Sequence, residues 1–453
     1  MIIKDIEVTS IIIIVAIVIS ALFIINLIDK KHKLKAETKR KAFHMSMGVS
    51  MLLLPYLFKN VISVGVLGLL AITGMLLLKH TKLKEKLGKP LYSVERKSLG
   101  EFYFIISIFL IFWLSGQNKI LYSIPILILT FADSVAALIG KSYAKKNLAE
   151  MNEDAKSIEG SFMFFITAFM IVLVPLLLYT NVGREEVLLI SAIIGFNVAL
   201  IEMISHSGDD NILIPMTTYT FLSTLMTQEV EILRINILVI GIIFVIVTIA
   251  NRVKVWSKIA LAETAVVGYL TTIFYGFYAL FAPTMMFLTV MNLPKRSEKE
   301  KKLKYDSRII ETNIIIGITI CILASITGMK KELFMLYSLV YSMHLVVNSC
   351  VRFKYYFNCN EPTALLNGYT KGLILIFLPS ILIEYLVFGE VLETGIMLVM
   401  VGVLLASGLA ILIQRHNKNE EEISVENGYI HMMIVLIGCL FVFLVQNMQV
   451  LIR

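Results

Sequence analysis

Long uninterrupted apolar runs leave this chain few folds to choose from. Residues 11–28 and 61–78 contain no charged side chain, and each reaches the ~18 apolar residues that cross a bilayer as a helix. Inside hydrocarbon every backbone amide and carbonyl must pair within the protein, so only helices and closed barrels span. A barrel is written as alternating segments of roughly ten residues, a pattern this sequence lacks. Comparable apolar runs recur at 45–57, 102–115, 119–140, 161–180, 187–204, 212–227 and 235–250, and again at 259–291, 313–328, 333–351, 371–388, 394–413 and 430–448.

Composition agrees: 58% of the 453 residues are hydrophobic and 16% charged, where a soluble domain carries about a quarter charged. A cytosolic globular enzyme and a disordered chain are both excluded. The expected fold is all-α, a polytopic transmembrane helical bundle of about 13–15 spans. It would consist of two halves, 1–250 and 251–453, parted at the charged stretch 251–258. No sequence repeat relates the halves. Segment 259–291 must cross an even number of times, as a tight hairpin bent near Gly276 or as a re-entrant pair. The first apolar run is too long for a cleaved leader and reads as a retained span. Cys321, Cys350, Cys359 and Cys439 have no CxxC spacing, which supports neither a disulfide framework nor a zinc site.

The net charge of +8 suits basic cytoplasmic loops better than nucleic acid. Loop 29–44 carries Lys30, Lys31, Lys33, Lys35, Lys39, Arg40 and Lys41. Loop 79–101 carries Lys79, Lys82, Lys84, Lys86, Lys89, Arg96 and Lys97. Placing these loops inside puts the N-terminus outside and makes 141–160, 205–211 and 251–258 cytoplasmic as well. A multi-pass protein of a prokaryotic plasma membrane is expected.

Ionisable residues in or beside a span are costly and mark function by default. In the first half they fall in five clusters, all at the end that this topology makes cytoplasmic. Arg40, Lys41 and His44 lead into the second span, with Arg40 and His44 on one helix face; binding anionic lipid is the plainer role for the two cations. Arg96, Lys97, Gly100 and Glu101 open the fourth, where Glu101 complements a helix dipole or the group cradles phosphate. Asp133 shares a face with the small residues Ala136, Ala137 and Gly140, about 10 Å inside the helix end, with Lys141 following. Lys156 and Glu159 precede Gly160 and Ser161. Glu202 closes the seventh span, and Asp209, Asp210 and Asn211 open the eighth. One aspartate there would serve as an N-cap, but three carboxylates and an amide are hard oxygen ligands suited to magnesium. Many cations beside several carboxylates is the inventory of phosphoryl or nucleotidyl transfer.

In this order, residues 40–44, 96–101, 133–141, 156–161 and 209–215 with Glu202 resemble the polyprenol kinase family of integral membrane proteins, which includes dolichol, phytol and farnesol kinases. The resemblance covers about residues 30–230. It implies CTP, or another nucleoside triphosphate, as phosphoryl donor to a membrane lipid alcohol, with Mg2+ as cofactor. It further implies Asp133 for nucleotide- and metal-linked chemistry, and Asp209 and Asp210 as a second metal or base group beside Glu202. Arg96, Lys97, Lys141 and Lys156 would clamp the triphosphate, and His44 and Arg40 would complete the site near the lipid hydroxyl. Diacylglycerol kinases and phosphatidate cytidylyltransferases are related alternatives, although the Pro-Gly-His-Gly-Gly signature of the latter is absent. A lipid transporter or flippase is the non-enzyme alternative; transporters place charge near the midplane. The second half faintly resembles the phytyl-phosphate kinase type in degenerate form and is expected to be non-catalytic. His344 and Asn348 share a helix face there, which suggests a satisfied intramembrane hydrogen bond for each.

Overall fold

A computed structural model describes residues 6–33, 36–80, 99–143, 156–206, 208–252, 256–292, 307–355, 357–389, 402 and 430–440. Among them there is no strand; the fold is all-α. Among the described residues, seven helices are long and apolar enough to cross a membrane, and five apolar helices of 10–17 residues accompany them. These are the elements of a multi-pass membrane protein. The chain divides into two compact units, Met1–Leu238 and Val239–Arg453.

The first unit contains α1 (Val8–His32), α2 (Ala36–Met51), the single turn α3 (Leu54–Leu57), α4 (Val61–His80) and α5 (Gly100–Ser115). Next, α6 (Lys119–Leu127) passes through a π-helical turn, Ile128–Ala132, into α7 (Asp133–Tyr143). α8 (Ile158–Tyr179), α9 (Arg184–Ile204) and α10 (Asp210–Leu225) follow, and the unit boundary falls within α11 (Val230–Arg252).

α1 shows why such a chain needs lipid. Only Ile11, Ile14, Leu22 and Ile25 on one stripe are buried, whereas Ile12, Ile19, Phe23 and Leu27 are exposed. An apolar surface all round is the signature of a membrane helix. Sequence-local signals begin several helices: the Asn118 side chain accepts the amides of Ile120 and Leu121 at 3.0 and 3.2 Å, and Ser157 accepts that of Gly160 at 3.0 Å. Such N-caps contribute about 1 kcal/mol each.

Small residues set the closest helix crossings, since association within lipid rests on packing rather than on expelling water. A Cβ at Gly160 would lie 3.1 Å from the carbonyl oxygen of Ala136 and 3.5 Å from the Cα of Gly140, so α7 and α8 meet backbone to backbone. At Gly195 a Cβ would lie 3.3 Å from the carbonyl oxygen of Phe165, which joins α9 to α8. Gly48 of α2 packs so tightly on the π-helical turn that any Cβ there would overlap Thr130. Gly160→Val is therefore expected to push α7 off α8 at a cost of about 1–3 kcal/mol, seen as a lower midpoint in thermal unfolding in detergent, with Gly160→Ala milder.

The second unit contains α12 (Lys258–Tyr275), a 3-10 turn (Phe277–Leu280), α13 (Phe281–Asn292), α14 (Ser307–Thr327), α15 (Lys330–Tyr355) and α16 (Glu361–Lys371). A second π-helical turn, Gly372–Phe377, leads into α17 (Leu378–Phe388), and a further helix, α18, spans Ile430–Leu440. The break between α12 and the 3-10 turn falls at Gly276, whose φ of 118° only glycine adopts without strain. α15 is the central element. Tyr337, Val340, Tyr341, Met343 and Val346 are fully buried along it. Gly317, Gly368 and Gly372 leave room for Tyr341, Cys350 and Val346 of this helix.

Candidate functional site

Five segments distant in sequence bring their polar residues together in the first unit. The π-helical turn between α6 and α7 is the centre. Pro125 has no amide hydrogen to donate, and the hydroxyls of Thr130 and Ser134 donate to the carbonyls of Ile126 and Thr130 at 2.6 and 2.9 Å. A π-turn widens the helix and commonly marks a functional position. Here His44 of α2 approaches it, with Nε2 3.4 Å from the carbonyl oxygen of Leu129. The imidazole also packs on Phe104 of α5, ring centroids 5.1 Å apart.

Asp133 is the first residue after this turn. Lys41, one turn before His44, lies 3.6 Å from Asp133 Oδ2 and donates to the Asp133 backbone carbonyl at 3.3 Å. His44, Lys156 and Arg40 are also within electrostatic reach of the carboxylate. Lys156, at the mouth of α8, pairs with Glu202 Oε1 at 3.0 Å and donates to the Glu202 backbone carbonyl. The Glu202 side chain is only 9% exposed. Glu202 in turn feels the charges of Asp133 and Asp210, and Asp210 feels Asp133 and Lys156. Arg40, Lys41 and Lys156 thus face Asp133, Glu202 and Asp210 in one balanced group, with His44 at its edge.

The turn before α10 separates three residues that the sequence treats as one motif. Asp209 Oδ1 accepts the amide of His206 at 2.6 Å, and Asn211 Nδ2 donates to the Gly208 carbonyl at 3.2 Å. Gly208 itself sits at φ 89°, the left-handed region that favours glycine. Asp209 and Asn211 therefore shape the turn, and Asp209 occupies the N-cap position without capping. Asp210 Oδ1 accepts the amide of Asn211 at 3.0 Å, and this is the aspartate that joins Asp133 and Glu202.

Glu101 lies in the first turn of α5, one turn before Phe104, and Glu159 in the first turn of α8. Gly140 faces Gly160 and Ser157, so its missing side chain serves helix packing. The backbone of Lys141 lies in α7 while its side chain, and Arg96 and Lys97 entirely, lie outside the described residues. The contacts of Leu129 and Phe104 with His44 were not foreseen from sequence. Pro125, four residues before Leu129, is the signal that a helix distortion was due.

Among the described residues no three of His, Cys, Asp or Glu gather closely enough to hold a metal ion. The physical reason is visible: Lys41 and Lys156 face two of the carboxylates, and Asp209 is turned into its own loop. Magnesium at phosphate sites commonly takes only one or two protein carboxylates, with phosphates and water supplying the rest. Asp133 and Asp210, which interact electrostatically, are side chains of the type that such a site uses. No protein-family model, curated protein or solved structure matches this chain.

Proposed function

We propose that the first unit is a lipid-alcohol kinase that transfers the γ-phosphoryl group of CTP, or of another nucleoside triphosphate, to an isoprenoid alcohol such as phytol, farnesol or a polyprenol. The observation that carries this reading is the single cluster in which Asp133, Glu202 and Asp210 meet Lys41, Arg40 and Lys156. Phosphoryl transfer asks a protein mainly for positioning and charge neutralisation, and these groups supply both. The site opens to the cytoplasm in this reading, and the alcohol's tail stays among the helices.

The alcohol oxygen attacks the γ-phosphorus, the bond from that phosphorus to the β–γ bridging oxygen breaks, and the nucleoside diphosphate leaves. Asp210 takes the hydroxyl proton. In the tautomer that donates Nε2–H to the Leu129 carbonyl, His44 keeps a free lone pair on Nδ1, which orients the hydroxyl. Lys41 and Lys156 exchange part of their contact with carboxylate for contact with phosphate oxygens. Because the described cations are already matched by anions, Arg96, Lys97 and Lys141 provide the surplus positive charge that a triphosphate requires. Asp133 would hold magnesium, which would supply neutralisation of phosphate charge.

Membranes containing the full chain, given CTP labelled at the γ- or the α-phosphate and a panel of lipid alcohols, test this directly. Label from the γ position in a lipid alcohol is the expected result. Label in phosphatidate from the γ position identifies a diacylglycerol kinase, and label from the α position a cytidylyltransferase. Absence of lipid labelling from every nucleoside triphosphate overturns the proposal and leaves a lipid transporter as the stronger reading.

A further inference from the structure

The second unit holds its own set of buried polar groups, and the kinase reading uses none of them. Among the described residues His344 of α15 lacks the hydrogen bond expected for it, whereas Asn348 donates Nδ2–H to Asn313 Oδ1 on α14 at 3.2 Å. The more telling pair lies nearer the start of α15. Glu384 of α17 is fully buried, and neither carboxylate oxygen has a hydrogen-bond partner among the described residues. Ser338 of α15 is equally enclosed, and its hydroxyl is unpartnered as well. Polar groups buried without partners are expensive, and an acid kept so in a membrane helix marks function by default.

Two contacts fix where these groups lie. Phe334 meets Phe388 with ring centroids 5.9 Å apart, and the Ser342 hydroxyl donates to the Gly372 carbonyl at 2.9 Å. Segment 372–388 therefore runs antiparallel to α15. Ser338 is one turn from both Phe334 and Ser342, on the α15 stripe that makes these contacts. Glu384 is one turn before Phe388, and α17 buries it together with Ser380. The Ser380 hydroxyl is occupied, donating to the Ile376 carbonyl at 2.7 Å. Ser338 and Glu384 thus lie on facing stripes, and they are not bonded to each other.

Aromatic rings surround this end of the two helices. Tyr275 is within electrostatic reach of Glu384, and its ring lies 5.9 Å from that of Phe334. Tyr278 meets Phe334 at 5.6 Å and Phe388 at 5.8 Å, both edge to face. Tyr275 and Phe334 are buried, whereas Tyr278 and Phe388 are partly exposed and form the way in. The Tyr275 hydroxyl donates to the Lys330 carbonyl at 2.8 Å, which leaves its ring for other contacts. Ring faces attract cations, and aromatic cages hold ammonium groups in this way. A hard metal ion would need several oxygen ligands, and among the described residues no three metal-binding side chains gather. An ammonium group asks for less: acceptors for its N–H donors, which Glu384 and Ser338 supply, and rings around the rest. Lys331 acts on Glu384 electrostatically without coming within hydrogen-bond distance, so it is a tethered competitor for the same carboxylate.

We propose that the second unit binds a small primary ammonium ion, of the methylammonium class, between Glu384 and Ser338. Its N–H groups donate to the carboxylate and to the Ser338 oxygen, and the rings of Tyr278 and Phe388 close over its carbon. The full enclosure of Glu384 and Ser338 restricts the ligand to the smallest amines or to the tip of a larger one. An aminophospholipid headgroup carries the same primary ammonium, and α17 ends only one turn beyond Glu384.

The full chain, in non-ionic detergent and an amine-free phosphate buffer, tests this by equilibrium binding of radiolabelled methylammonium. Saturable binding is expected, displaced by unlabelled methylammonium and not by the same concentration of potassium or tetramethylammonium. Glu384→Gln is expected to weaken binding by about tenfold or more, and Phe388→Leu by about threefold. Lys331→Met, which removes the competing charge, is expected to tighten it, an effect that a merely structural Glu384 would not produce. Elution profile and thermal midpoint identify any variant that has lost its fold; Ser338→Ala, which removes only a hydroxyl, then carries the test and is expected to weaken binding about threefold. Nanodiscs of phosphatidylglycerol with and without phosphatidylethanolamine separate the sources. Methylammonium binding suppressed by phosphatidylethanolamine assigns the site to a lipid headgroup, and undiminished binding assigns it to a free amine. Absence of saturable binding in detergent, equal displacement by potassium, or full affinity in folded Glu384→Gln or Ser338→Ala overturns the proposal. The readout requires neither nucleotide nor lipid alcohol, so its outcome is independent of the kinase reading.

Discussion

Asp133→Asn is expected to lower lipid-alcohol phosphorylation by about 10³-fold, equivalent to roughly 4 kcal/mol of barrier, while the protein still inserts and folds. The substitution keeps the shape of the side chain and removes its charge. Lys41 retains its bond to the Asp133 backbone carbonyl at 3.3 Å, so α2 stays docked on the helix. What disappears is the carboxylate that Lys41, Lys156, Arg40 and His44 all surround. Initial rates of γ-label transfer in membranes, set against the elution profile of the purified variant, separate the two effects. Normal turnover in Asp133→Asn removes this residue from the chemistry.

The second large effect concerns stability. Lys156→Met leaves Glu202 buried without the ammonium that now lies 3.0 Å from its Oε1. Removing one partner of a buried pair costs about 3–5 kcal/mol, expected here as a fall in thermal midpoint on the order of 10 °C. The double variant Lys156→Met, Glu202→Leu exchanges the pair for apolar groups and is expected to recover most of that loss, because the unmatched charge is gone. Neither variant is expected to transfer phosphate. A double variant that is active assigns the pair a purely structural role, and one as unstable as Lys156→Met shows that Glu202 was not the source of the cost.

The helices were legible because hydropathy runs and helix caps are local. Residues 11–28 are apolar all round and could form little else, and Gly276 announced the break in segment 259–291. Grouping of Asp133, Glu202 and Asp210 with Lys41 and Lys156 was also within reach, since counting spans and charged loops placed them on one membrane side. Finer pairing was not. That Lys41 comes to lie against Asp133 depends on how α2 rolls against α7, which hinges on Gly48 resting on Thr130. The separate duties of Asp209, Asp210 and Asn211 depend on the left-handed turn at Gly208, and adjacency in sequence concealed them. Among the described residues His344 has no hydrogen-bond partner while Asn348 donates to Asn313, and a shared helix face says nothing about which of the two finds one.

The wide turn at Ile128–Ala132 has a geometric consequence for everything downstream of it. A regular helix advances about 100° per residue, and a π-turn holds one residue more than its α-helical equivalent. The azimuth of Asp133 is therefore offset by roughly a quarter-revolution from the register that α6 establishes. Regularising the turn at unchanged length would swing the carboxylate away from Lys41, whereas excising one residue between Leu127 and Asp133 would leave its azimuth as it is. Irregularity of the rod, here, is what aims the acid.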